Sequence, residues 1–215
     1  MVATFIIEIV AACYMVWRYK MDTAARLITA LLVFLAIFQL AEYMICGSFG
    51  MDGMTWSRIG YVSITFLPPL GIHLATVIAK KKLPWLVGAS YASMLAFIFF
   101  FAYIGAAITS QVCQGNYVIF DMAPGSVLWF TLYYYGWLLA GVVLCIRWAQ
   151  GATKAQSRGL HGLAFGYLAF ILPTTTVNII DPATMAGIPS IMCGFAVLLA
   201  LLLVFRVAPA VAKRR

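Results

Sequence analysis

The chain has 215 residues, 65% hydrophobic and 9% charged, with a net charge of +8 and a mean hydropathy of +1.01. Soluble domains carry roughly a quarter charged residues, so this composition excludes an ordinary soluble fold, and the positive charge reads as an orientation signal rather than a nucleic-acid footprint. No polar stretch is long enough for a soluble catalytic domain, a nucleotide-binding loop or a DNA-binding module.

Seven apolar runs predict an all-α polytopic membrane protein, a single domain over residues 1–215 with seven transmembrane helices of close to ~20 residues each. The first, Val2 to Trp17, has no basic stretch before it and carries Arg18 and Lys20 after it. That is the reverse of a cleavable signal, so it is read as a helix. The second runs from Leu27 to Cys46. The third, Ile59 to Ala79, is interrupted by Pro68 and Pro69, which remove backbone donors and predict a kink or local break, hence a hinge. The fourth runs from Pro84 to Ala107.

A long connection follows, in which Gln111 to Gln114 and Tyr117 to Phe120 flank Gly115-Asn116. This reads as a small outer hairpin between the fourth and fifth helices with a two-residue turn, acting either as a lid over the bundle mouth or as a cover for helix ends. The fifth run is Val127 to Trp148. The sixth, Leu160 to Ile180, contains a second hinge candidate, Pro173, beside Thr174, Thr175, Thr176 and Asn178. The seventh is Gly187 to Val207.

Basic residues gather at Arg18, Lys20 and Arg26; at Lys80 to Lys82; at Arg147, Lys154 and Arg158; and at Arg206, Lys213, Arg214 and Arg215, leaving Arg58 alone on the opposite side. The positive-inside tendency places these clusters in the cytoplasm, with the N-terminus outside and the C-terminus inside. The five cysteines show no C-x-x-C spacing. Cys13, Cys145 and Cys193 read as small core residues. Cys46 and Cys113 both fall at the outer face, where an oxidising compartment allows a bridge if their Cα atoms approach within the ~7 Å limit.

Ionisable groups inside hydrocarbon are costly and usually face the bundle interior, which singles out Glu8, Glu42 and His73. At 1.5 Å per residue, Glu42 lies roughly 6 Å from the outer end of its helix, Glu8 and Pro173 roughly 9 Å, and Tyr133 roughly 10 Å. Arg58 begins the third helix above that layer and is a candidate partner for either glutamate. With Tyr61, Tyr133, Tyr134, Tyr135, Thr174, Thr175, Asn178 and Asp181, these residues predict a wet, aromatic-rimmed ligand cavity opening outward. The tyrosines packing and the glutamates snorkelling to water is the alternative.

His73 and His161 lie too far inward to join that layer, and each is read as an interhelical hydrogen-bonding residue. With two histidines and no H-x-x-x-H spacing, no metal or other cofactor is expected. Helix seven has no lysine for a retinal Schiff base, and the histidines lie apart from Asp52, Asp121 and Asp181. An enzyme is therefore not expected.

Several motifs carry a family resemblance. Ala41-Glu42-Tyr43, Trp56-Ser57-Arg58, and the stretch from Ile59 to Pro69 are followed by Gly125 to Phe130, Arg158, Pro173, Asn178, Asp181-Pro182 and Phe205 to Pro209. Together they resemble the seven-helix sensor region at the N-termini of bacterial histidine kinases and related signalling proteins. The resemblance implies a bacterial plasma (inner) membrane location and a receptor-like signalling role. Members of that family continue into an output domain, whereas this chain stops at Arg215, so the expectation is a stand-alone sensor acting through a cytoplasmic or membrane protein partner. Membrane lipids and a small molecule or lipid ligand are its other expected partners, and nucleic acid is not. A small-solute or ion carrier or channel, and a structural subunit of a larger complex, remain as alternatives.

Overall fold

Three helix starts in this chain are set by capping side chains, several residues ahead of the hydrophobic runs. A computed structural model describes residues 1–104, 107–115, 117–123, 125–181 and 187–215. The first helix, α1, spans Val2–Arg18, and α2 spans Thr23–Gly47. The latter begins four residues before Leu27 because Asp22 accepts a 2.9 Å hydrogen bond from the Ala25 N–H. Helix α3, Gly53–Thr65, starts at Asp52, which accepts from both the backbone N–H and the hydroxyl of Thr55. Those bonds hold the Asp52 carboxyl below the usual carboxylate range.

Helix α4 is Leu67–Ala79 and α5 is Pro84–Tyr103. Strands β1, Ile108–Gln114, and β2, Tyr117–Met122, form an antiparallel hairpin in which Gln114 faces Tyr117. Gly115 has φ of 50°, the left-handed backbone that a two-residue hairpin turn requires. The other predicted turn residue, Asn116, and Pro182 lie outside the described residues. The fourth apolar run ends as a helix at Tyr103, not Ala107. Beyond it Ala107 and Ile108 are buried with the hairpin, and the Ala107 N–H bonds the Ile104 carbonyl in a turn.

Helix α6 is Ser126–Ala149, and α7 is Lys154–Ile180, opened by a Thr153/Gln156 capping box. The last run forms one irregular rod: α8 (Ile188–Phe195), α9 (Val197–Leu202), a π turn (Leu203–Val207) and α10 (Ala208–Val211). Among the described residues six helical segments are long and apolar enough to cross a membrane, with α3–α4 counted as one and α8–α10 as one. By length and composition this is a multi-pass membrane protein. Helix α1, at 17 residues, sits at the short end of the ~17–25 range for a span.

The middle of the bundle is held by α2 and α7. Helix α2 packs against α1, α3, α4 and α8, and α7 against α4, α6, α8, α9 and the π turn. By contrast α5 buries only Ser90, Met94 and Phe101. Exposed Trp17 and Trp85 lie next to basic residues at one end of their helices, and exposed Trp129 and Tyr103 lie at the other. Amphipathic rings at both ends are what two membrane–water interfaces favour. Cys145 and Cys193 are buried, but Cys13 is exposed and is not a core residue. Helix α1 buries one face only, through Glu8, Ala11, Ala12 and Met15, and Cys13 points away from it.

The predicted break in the third run is present at Phe66, which ends α3 and begins α4. Pro69 has no N–H for the carbonyl of Thr65, four residues earlier. The Tyr133 hydroxyl supplies the missing donor at 2.6 Å. Tyr133→Phe should therefore strand a buried carbonyl and cost about 1–3 kcal/mol. Thermal unfolding of the purified protein measures this, and an unchanged midpoint would show that the carbonyl needs no such partner.

Candidate functional site

A cavity of about 320 Å³ lies between α3, α6, α8 and the hairpin. Tyr61 and Ile64 reach it from α3, Phe120, Asp121 and Met122 from β2, Phe130, Thr131 and Tyr134 from α6, and Pro189 and Met192 from α8. Tyr61 is the organising ring, with centroids 4.8 Å from Phe101, 5.2 Å from Phe120 and 5.7 Å from Phe130. Such edge and tilted contacts make a stiff aromatic wall. Polar groups are few: the Asp121 carboxylate, which accepts from the Ser110 hydroxyl, the Thr131 hydroxyl and the phenols.

Two ties fix the hairpin over this space. Cys46 at the end of α2 is disulfide-bonded to Cys113 on β1, with Cα atoms 5.5 Å apart. The Val118 N–H of β2 donates to the Ser190 hydroxyl oxygen at 3.0 Å. Ser190 also hydrogen-bonds the Glu42 carboxylate, so one side chain joins hairpin, α8 and α2.

Of the eleven predicted ligand residues, Tyr61, Tyr134 and Tyr135 line this cavity. Tyr133 is committed to Thr65. The hydroxyls of Thr174 and Thr175 donate to the carbonyls of Phe170 and Ile171, each at 2.8 Å. In a low dielectric a threonine hydroxyl takes the nearest free acceptor, which is the carbonyl one turn back. Pro173 accordingly sits inside a continuous α7. Asn178 is buried on that helix, and exposed Asp181 ends it. Arg58 lines a separate groove with Phe34, Ile37, Thr55 and Val62. The predicted residues thus divide between this aromatic cavity, a buried carboxyl pair and hydroxyls bonded to their own helix.

Glu8 and Glu42 do come together, as their shared depth predicted. Both are fully buried, and they interact electrostatically. Among the described residues neither Glu8 oxygen has a hydrogen-bond partner, nor has Oε1 of Glu42 or Nε2 of nearby Gln39. Arg58 is therefore not the partner of Glu8. Tyr61 lies within electrostatic reach of both Glu42 and Asp121, so the carboxyl pair and the aromatic cavity adjoin through it.

An unpartnered buried polar group costs about 1–3 kcal/mol. Glu8→Leu is expected to raise thermal stability by an amount in that range. A lowered melting temperature would mean that a group from outside the chain satisfies the carboxyl.

His73 Nδ1 lies 3.2 Å from the Tyr91 hydroxyl, an α4–α5 link, whereas His161 meets Ser157 within α7. Among the described residues no group of three or more His, Cys, Asp or Glu is placed to hold a metal ion. Charge, depth and spacing mark neither Phe120, Phe130 nor Ser190 as a site residue. A polar residue directly after a helix-starting proline, as in Ile188-Pro189-Ser190, was the available signal for the last.

Comparison of the chain with protein-family models, with curated proteins and with solved structures finds no match.

Proposed function

We propose that this chain is a receptor-like seven-helix membrane module that takes a small, largely apolar or aromatic molecule with one polar group into the cavity beneath the hairpin, and conveys its occupancy to a partner protein. The observation that carries the reading is an aromatic cavity of about 320 Å³ roofed by a hairpin that a disulfide ties down. That is the size and lining of a small-molecule site. Helix α1 is counted as the seventh span because it is apolar and packs along α2. The orientation puts the basic clusters in the cytoplasm of a bacterial cell and the disulfide on the oxidising side, as membrane charge bias and thiol chemistry both favour.

Tyr61 and Ile64 touch the cavity within five residues of the break at Phe66. A guest that contacts them differently in two tilts of α3 against α4 shifts the balance between those tilts. The test is thermal unfolding of purified protein with a panel of phenolic, indolic and short-chain lipid-like compounds. A true ligand at a hundred times its Kd should stabilise by about 2.7 kcal/mol. Thr131→Trp, which fills the cavity, should abolish the effect. No shift in the wild type across the panel would sink the proposal.

The buried Glu8–Glu42 pair, three of whose four carboxyl oxygens lack a hydrogen-bond partner among the described residues, favours a second reading, an ion carrier. Liposome flux that disappears in Glu8→Gln would promote it over the first.

A further inference from the structure

The end of the bundle away from the hairpin carries thirteen of the fourteen lysines and arginines and one of the six acidic residues, Asp22. The Asp22 carboxylate is committed to the backbone N–H groups of Ala25 and Lys213, at 2.9 and 3.2 Å. Glu8 and Glu42 are buried in the other half, and Asp52, Asp121 and Asp181 lie at the other end. Countercharge for most of this end must come from outside the chain.

Two adjoining hollows there share Arg158 and Arg206. One is polar and adds Lys154, Ser157 and His161. The other is apolar and adds Leu202, Phe205, Pro209 and Ala210. The local fold explains the juxtaposition. Gly162 has no Cβ, and the position one would take lies 3.3 Å from Cγ and 3.5 Å from Cδ of Arg206. The arginine stem therefore crosses α7 toward Arg158. Phe205 and Arg206 both sit on the π turn, an irregularity that re-aims side chains and is frequent at functional sites. Phe205 is left exposed.

A cationic compartment continuous with an apolar groove, at the end of membrane-spanning helices, matches an amphiphile with a negative head. We propose that Arg158 and Arg206 bind the phosphate of an anionic phospholipid, with one acyl chain lying along Leu202 and Phe205. Arginine favours this role because its planar fork meets phosphate oxygens in pairs, and basic pockets at this membrane level suit such headgroups.

The test measures lipid binding to the full purified chain in neutral detergent by native mass spectrometry. Dioleoyl-phosphatidylglycerol is compared with dioleoyl-phosphatidylcholine, and inorganic phosphate serves as competitor. Phosphatidylglycerol should bind the wild type more tightly. At roughly fivefold per surface basic residue, Arg158→Gln with Arg206→Gln should weaken it by about 25-fold. Lys81→Gln with Lys82→Gln should leave it unchanged. If the double arginine variant does not fold, Arg158→Lys with Arg206→Lys replaces it and should give an intermediate loss. Equal binding of the two lipids would overturn the proposal. So would an unchanged affinity in the arginine variants, an equal loss in the lysine variant, or displacement by inorganic phosphate at the concentration of the lipid.

Discussion

Replacing Cys46 and Cys113 together by serine should cost about 2–4 kcal/mol of stability, the usual worth of a native bridge that closes a long loop. The two cysteines are 67 residues apart in sequence, and the bridge is the covalent tie between the hairpin and the end of α2. Without it the hairpin keeps the Val118–Ser190 hydrogen bond, which alone contributes about 1 kcal/mol. Thermal unfolding with and without reductant is the measurement. The wild type under reducing conditions should melt with the double serine variant. If both melt with the oxidised wild type, the roof of the cavity does not depend on the bridge.

Gly71→Val should be the most damaging single substitution. A Cβ at Gly71 would fall on the hydroxyl oxygen of Tyr167, and Tyr167 is fully buried, with Gly141 against the other side of its ring. The ring is thus clasped between α4 and α6 by two residues without side chains. Overpacking of this kind costs typically about 1–3 kcal/mol and occasionally more, because neither neighbour can move without shifting a helix. Helix association in membranes relies on such close van der Waals contacts. Tyr167→Leu placed in the Gly71→Val chain should recover part of the loss, since it removes the colliding atoms. A double-mutant cycle reads the coupling. Simple additivity of the two losses would refute the clasp.

Much of the fold was legible because hydrocarbon imposes one dominant rule on sequence. Apolar runs between basic clusters marked where helices lie, and the prolines at 68 and 69 marked the break between α3 and α4. Helix ends were less legible. Asp22, Asp52 and Thr153 extend α2, α3 and α7 beyond their apolar cores, a capping effect that hydropathy does not register. The hairpin was visible from Gly115 and the flanking strand residues.

The candidate site was less visible. Depth alone paired Glu8 with Glu42, because two helices crossing the same layer put like depths side by side. Depth does not say which way a side chain points. Thr174 and Thr175 had the right height but bond their own helix, and Tyr133 had the right height but repairs a neighbour's backbone. The aromatic wall escaped notice because Phe120 comes from the hairpin, and Phe130 is one phenylalanine among fifteen in this chain.

Ser190 couples events that look separate. Its oxygen receives the Val118 N–H while its proton goes to Glu42, so lifting the hairpin would remove the donor that polarises the hydroxyl held against the acid. A hairpin displaced by a guest would then loosen the hydroxyl's hold on a buried carboxyl two helices away.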